Sequence, residues 1–243
     1  MTALVTRKLE KRFLGVHAVD HVDIACKDGS ITALVGPNGS GKTTLINTIT
    51  GILPMDGGEI RVGERTLTRV RPTDAAGLGI ARTFQNTRLI GQMSVLDNIL
   101  LALTERSVWR ALFERQGQSH LDAAEAVLRR VGLSEKRHAN AEELSYGQRK
   151  LLEIARALSM RSRIYFFDEP FAGLFPEMRK VVAEILRELR AGGAAVVLVE
   201  HDMDLIRDLA DFCYVLDSGK VIAEGTPEQV LKEPHVIEAY LGK

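Results

Sequence analysis

The segment Gly36-Pro37-Asn38-Gly39-Ser40-Gly41-Lys42-Thr43 constrains this chain more than any other, because its spacing G-x-x-x-x-G-K-[ST] suits one local geometry. Before it stands the apolar run Ile31–Val35, opened by Asp28-Gly29-Ser30, which predicts a short buried strand. After it, Thr44 to Thr50 predicts a helix stopped by Gly51. In a strand–turn–helix setting the glycines let backbone N–H groups turn inward without a Cβ in the way. The helix start adds unsatisfied donors and partial positive charge, so the turn suits a polyphosphate. Lys42 is expected to bridge the β- and γ-phosphates of a nucleotide, and Thr43 to place its hydroxyl on Mg²⁺.

The last third of the chain supplies a matching sheet. Ile164–Phe167 and Ala195–Val199 are uninterrupted apolar runs, the pattern of strands covered on both faces. Between them Pro176 suits a first helical position, Met178, Val181, Val182, Ile185 and Leu189 form a stripe, and Gly192-Gly193 ends the helix. Strand and helix alternating in this way imply a parallel sheet with crossover helices. Ligands in such sheets bind at the carboxyl ends of the strands. The first run ends in Asp168-Glu169, which makes Asp168 the candidate for the metal shell and Glu169 for polarising an attacking water. His201, just past the second run, is a candidate contact for the γ-phosphate.

Nearer the start, Val22, Ile24 and Cys26 alternate with Asp23 and Ala25 as in a half-buried strand, and Glu59–Val62 reads as another. The middle reads as helical. Ser94-x-x-Asp97, Ser119-x-x-Asp122 and Ser145-x-x-Gln148 have capping-box spacing, and Glu114–Ser119 reads as a surface loop. Leu151, Ile154, Ala155 and Leu158 mark one buried helix face. Arg149, Lys150, Arg156, Arg161 and Arg163 read as a solvated basic face.

Composition closes off some functions. Lys plus Arg and Asp plus Glu are 32 each, so no global field favours nucleic acid or anionic lipid. Apolar and charged fractions of 45% and 26% are those of an ordinary globular protein. Cys26 and Cys213 stand alone, without metal-site spacing, as small hydrophobes of a reducing compartment. No apolar run approaches the roughly 18–20 residues that span a bilayer, and no signal core follows the basic N-terminal residues, so a membrane role is expected to run through a partner.

Leu144-Ser145-Tyr146-Gly147-Gln148, upstream of the Asp168-Glu169 strand, resembles the LSGGQ signature of ATP-binding cassette (ABC) ATPases, with Tyr146 in place of the first glycine. The resemblance covers about Leu4 to Lys243. It implies an α/β fold of the P-loop NTPase, ABC ATPase type: a mostly parallel core sheet, an antiparallel β subdomain and an α-helical subdomain. The chain is then one domain, 1–243, with the helical part inserted at about 86–160. On the same resemblance, Gln85 matches the Q-loop glutamine that senses Mg²⁺ and His201 the H-loop histidine. Phe13, with Val19 beside it, matches the adenine-stacking position. Nucleotide contacts fall to Gly36 through Thr44 and, from a second cassette, to Ser145, Gly147 and Gln148. Phe175 departs from the Asp or Asn usual in the D-loop.

Within the family, Ala81-Arg82-Thr83-Phe84-Gln85-Asn86, Leu96-Asp97-Asn98-Ile99, Glu169–Leu174 and the tail Val236–Gly242 are similar to branched-chain amino-acid uptake ATPases. That implies ATP and Mg²⁺ as ligands, a cytoplasmic protein peripheral on the membrane, and permease subunits and a second, identical or related ATPase as partners. An extracytoplasmic solute-binding protein would act indirectly, and nucleic acid is not expected. Lipopolysaccharide-export and soluble non-transport cassettes are the alternatives.

Overall fold

The computed structural model describes residues 1–83, 89–103 and 118–241. Four strands form one sheet: β1 (Thr2–Phe13), β2 (Val16–Lys27), β4 (Gly57–Val62) and β5 (Arg65–Leu67). Their order is β2-β1-β4-β5 and the pairings are antiparallel. The alternation at Val22, Ile24 and Cys26 holds, with each buried and Asp23 exposed. It belongs to a hairpin much longer than the sequence pattern suggests.

The second sheet has the order β10-β9-β3-β8-β7-β6, from β3 (Ser30–Val35), β6 (Ile80–Arg82), β7 (Ile164–Asp168), β8 (Ala195–Val199), β9 (Phe212–Asp217) and β10 (Lys220–Gly225). Its pairings are parallel except for β10 on β9. Every residue of β7 and β8 is buried, as the unbroken apolar runs require. A core including Leu4, Leu9, Ile24, Leu34, Ile46, Phe166 and Val197 joins the two sheets through α1 (Lys42–Ile49).

The chain divides into two compact units. The first holds both sheets and comprises Met1–Arg82, Ser162–Glu169 and Ile185–Lys243. With α1 it contains the short helices α2 (Pro72–Gly77), α7 (Met203–Leu209), α8 (Pro227–Val230) and α9 (Pro234–Leu241). The second comprises Thr83–Arg161 and Pro170–Glu184. It contains α3 (Val95–Leu103), α4 (Gln118–Arg130) and α5 (Tyr146–Ser159), which pack on one another, and the first half of α6 (Pro176–Ala191). Residues 170–184 thus lie with the helical unit, although in sequence they sit among core strands.

Inside the helical unit Asn98 is fully buried and satisfied. Its Nδ2 donates to the carbonyls of Ile90 (3.1 Å) and Ser94 (3.0 Å), and its Oδ1 accepts from Ile90 N–H at 3.1 Å. It pins the segment that enters α3, which is what a buried amide needs and a buried Leu could not do. Ser94 Oγ accepts from Asp97 N–H at 3.0 Å, the expected cap.

Two expectations need correction. Ser119 lies inside α4 rather than capping it, with Gln118 bonded to Asp122 one turn on. Of the loop read at Glu114–Ser119, residues 114–117 lie outside the described region. The basic cluster is not one solvated face either. Lys150 is only 2% exposed, while Arg161 and Arg163 fall beyond the end of α5. Charge counting missed this because α5 is covered over more of its circumference than its four-residue apolar stripe indicates.

Candidate functional site

Register brings the site together. Leu34 of β3 and Asp168 of β7 both pair with Val199 of β8, so three adjacent parallel strands end at one level. The loop 36–43, Glu169 and Glu200-His201 emerge side by side from that edge. This is the carboxyl end, where an open α/β sheet takes its ligand.

At two positions of the loop only glycine fits. A Cβ at Gly36 would stand 2.0 Å from the Leu216 carbonyl oxygen, and one at Gly41 2.3 Å from that of Ala18. Gly41 begins α1 at φ 104° and offers no side chain to cap it, so the first N–H groups of the helix are not claimed by a cap. Lys42 is 7% exposed and turns its ammonium back on the loop, donating to the carbonyls of Gly36 (2.8 Å) and Pro37 (2.9 Å) and to Ser40 Oγ (3.3 Å). Burial pushes the Lys42 ammonium below its ordinary pKa, opposed by the nearby carboxylates of Glu169 and Asp168. Thr43 is exposed and Thr44 half-buried behind it; Asn38 and Gly39 are exposed at the loop tip.

Across from the loop, Glu169 has a left-handed backbone, φ 49°, unusual for a non-glycine residue. Its N–H donates to Val199 O at 2.9 Å, which holds the turn. Its Oε1 lies 2.7 Å from His201 Nε2. A carboxylate can only accept, so the imidazole donates through Nε2. Strain of this kind is stored where surrounding structure demands a particular side-chain direction. Asp168 is buried at the end of β7, and its Oδ2 accepts from Arg82 Nη2 at 3.2 Å.

The arrangement fits a polyphosphate with a hard divalent cation. The loop has an inward cation in Lys42, bonded to its own carbonyls; the next residue, Thr43, has an exposed hydroxyl, and the Asp168 carboxylate is near enough to act on the Lys42 charge. Oxygen donors this few suit Mg²⁺ completed by phosphate oxygens and water.

Phe13 ends β1 with 42% of its surface exposed and the Lys11 ammonium 5.3 Å from its ring centre, so it is available for stacking. Val19, six residues on, is fully buried in the core. Gln85 lies outside the described residues.

In the helical unit Ser145 caps α5. Its Oγ accepts from Gln148 N–H at 3.3 Å, and Gln148 Oε1 accepts from Ser145 N–H at 3.0 Å. Gly147 is packed against Met178, whose Sδ would be 2.7 Å from a Cβ there. The Tyr146 ring lies over Gly173, where a Cβ would be 2.7 Å from ring Cε1. Phe175, two residues on, is 74% exposed.

Sequence pattern does not single out Arg82 beyond its place in the motif Ala81–Asn86, yet its side chain is buried against Asp168 and Asn47. Nothing in the spacing of residues 47, 82 and 168 signals that they meet.

Comparison with known proteins agrees with this geometry. Residues 19–172 match the family described as ABC transporter, and residues 220–243 match the branched-chain amino acid ATP-binding cassette transporter family. The chain is 38% identical to the high-affinity branched-chain amino acid transport ATP-binding protein LivG of Salmonella typhimurium, over 99% of this chain and 98% of that one. It is 38% identical to a probable LivG of Archaeoglobus fulgidus, over 100% and 96%. Among solved structures it is similar to a nucleotide-free ATP-binding cassette from an ABC transporter, with TM-score 0.88 and 35% identity over the whole of both chains. An ATP-binding cassette in its ADP conformation gives TM-score 0.87, also at 35% identity over both full lengths.

Proposed function

We propose, for a chain that belongs to the ABC transporter ATPase family, that it hydrolyses ATP to drive uptake of branched-chain or other amino acids. The observation that carries the chemistry is Glu169, held in a strained turn at the end of β7, hydrogen-bonded to His201 and beside the phosphate cradle. Assignment to amino-acid uptake rests on the full-length relatives and on the C-terminal match at residues 220–243.

In this reading Lys42 exchanges its loop carbonyls for phosphate oxygens, and the N–H groups of the cradle orient the rest of the polyphosphate. Phe13 stacks on the base. Thr43 and Asp168 would hold Mg²⁺, which would supply charge neutralisation on the transferred phosphoryl group. Glu169 takes the proton of the attacking water, and His201 keeps the carboxylate aimed while its own ring meets the γ-phosphate. A positioned base contributes typically ~10²–10⁴-fold. Gln85 joins the same site as the glutamine that senses Mg²⁺, a role that rests on the sequence resemblance.

A second cassette, identical or related, pairs head to tail so that Ser145, Gly147 and Gln148 of each face the nucleotide of the other. The capped start of α5, with Ser145 exposed, suits such an anion contact. Permease subunits couple the pairing of the two cassettes to the membrane; no described helix of this chain is long and apolar enough to cross one. The protein then works on the cytoplasmic face, and an extracytoplasmic binding protein delivers the solute.

The test is Glu169→Gln in the purified transporter. ATP binding should persist while turnover falls at least ~100-fold. Turnover at the wild-type rate would remove Glu169 as the base.

A further inference from the structure

Arg82 closes β6 opposite Phe166 of β7, and Asp168 lies two residues further along the same strand, on the same face. The two side chains are 7% and 2% exposed and meet at 3.2 Å. The other arm of the guanidinium reaches α1. Nη1 donates to Asn47 Oδ1 at 2.6 Å and to Thr50 Oγ1 at 3.3 Å. Thr50 Oγ1 in turn donates to Ile46 O at 2.7 Å, in the last turn of that helix. A cation at a helix C-terminus is favourably placed against the macrodipole.

One planar fork therefore ties the end of the helix that begins at the cradle to the carboxylate that ends β7. Arg82 also stands three residues before Gln85. A buried carboxylate needs both a counter-charge and a fixed orientation, and a guanidinium supplies both through separate nitrogens, which an ammonium cannot.

We propose that Arg82 is a positioning residue: braced on Asn47 and Thr50, it fixes Asp168 so that the carboxylate presents its remaining acceptor positions to the nucleotide-bound cation. This rests on the reading of Asp168 as the cation holder. Arg82 itself touches neither nucleotide nor water in this role. The bracing makes cation capture depend on α1, the helix that the phosphates themselves engage.

The experiment measures binding of a fluorescent ATP analogue to the full-length protein as Mg²⁺ is titrated, without turnover. Arg82→Met should raise the Mg²⁺ concentration for half-maximal enhancement about 10-fold, with Arg82→Lys between it and wild type. Asn47→Ala keeps the Arg82–Asp168 pair but removes the shorter of the two bracing bonds, and should shift the same midpoint in the same direction by a smaller factor. Because Arg82→Met could fail to fold, Asn47→Ala and Arg82→Lys carry the test alone if it does. An unchanged midpoint, with only a lower melting temperature, would mean that Arg82 is merely structural. A lowered midpoint would mean that it competes with the cation, and either result overturns the proposal. Asp168→Asn separates the two levels. If it too leaves the midpoint unchanged, the assignment of Asp168 has failed; if it raises the midpoint and the Arg82 and Asn47 variants do not, only this inference has.

Discussion

Two helix starts in this protein have opposite constructions. At α1 the N-cap is Gly41, with no side chain, and the first N–H groups face a loop whose shape depends on remote carbonyls of Ala18 and Leu216. At α5 the N-cap is Ser145, and its reciprocal bonds with Gln148 close the first turn within four consecutive residues. The first is a tertiary construction left open toward a ligand; the second is a local one already satisfied. An open terminus gains most from an anion, because no protein group needs displacing. A capped terminus contributes its dipole and an exposed hydroxyl and keeps its shape in the meantime.

The largest break in this comparison is Gly36→Ala. Its Cβ would overlap the backbone of Leu216, which cannot rotate away, so the cradle itself must deform. Nucleotide affinity should fall by roughly 100-fold or more, as a binding titration would show, since the loss of aligned donors and of Lys42 geometry compounds. Wild-type affinity in this variant would mean that the loop shape is not set by its remote neighbours.

Ser145→Ala should do something different in kind. Losing the cap costs about 1 kcal/mol, which in a domain of this size lowers the melting temperature by roughly 2–4 °C. Nucleotide binding to the isolated chain should be unaffected, and only hydrolysis in the paired state should fall. Binding that weakens in the isolated chain would show that α5 contributes to the phosphate site of its own subunit.

The smallest effect belongs to a pair at the opposite ends of the strands. Arg163 donates through Nε and Nη2 to the two oxygens of Asp28, both at 2.7 Å, and this holds the Asp28 carboxyl below its usual pKa. A carboxyl depressed in the folded state adds stability that is present above its unfolded pKa and is lost as pH falls through the folded one. Arg163→Gln should therefore lower stability slightly at neutral pH, and the difference from wild type should vanish in acid. Partly exposed ion pairs are worth little, so melting curves across pH are the measurement. Nucleotide binding should not change, which makes this variant the control for the other two.

The contrast between the helix starts also explains what could be read in advance. Ser145-x-x-Gln148 is a four-residue statement, and its hydrogen bonds are the ones the spacing predicts. Ser119-x-x-Asp122 has the same spacing and sits within a helix, because a cap signal does not say where a helix starts when flanking residues are also good helix formers. Val19 is buried on the same side as Val22, three residues on, because the β2 strand is irregular between them, with His21 at φ 53°; simple alternation would not place it there.

The sequence by itself determined the cradle, the strand ends at Asp168-Glu169 and His201, the capped signature helix and the family, because each is written in a few adjacent residues whose chemistry is strongly restrictive. Tertiary structure alone decided that Glu169 and His201 touch, that residues 170–184 group with the helical unit, that Lys150 is buried, and that Arg82 ties Asp168 to α1. Those outcomes depend on strand register and on side chains up to 86 positions apart. No local periodicity encodes such meetings, since they are settled only when the sheet aligns its strands and the core closes over them.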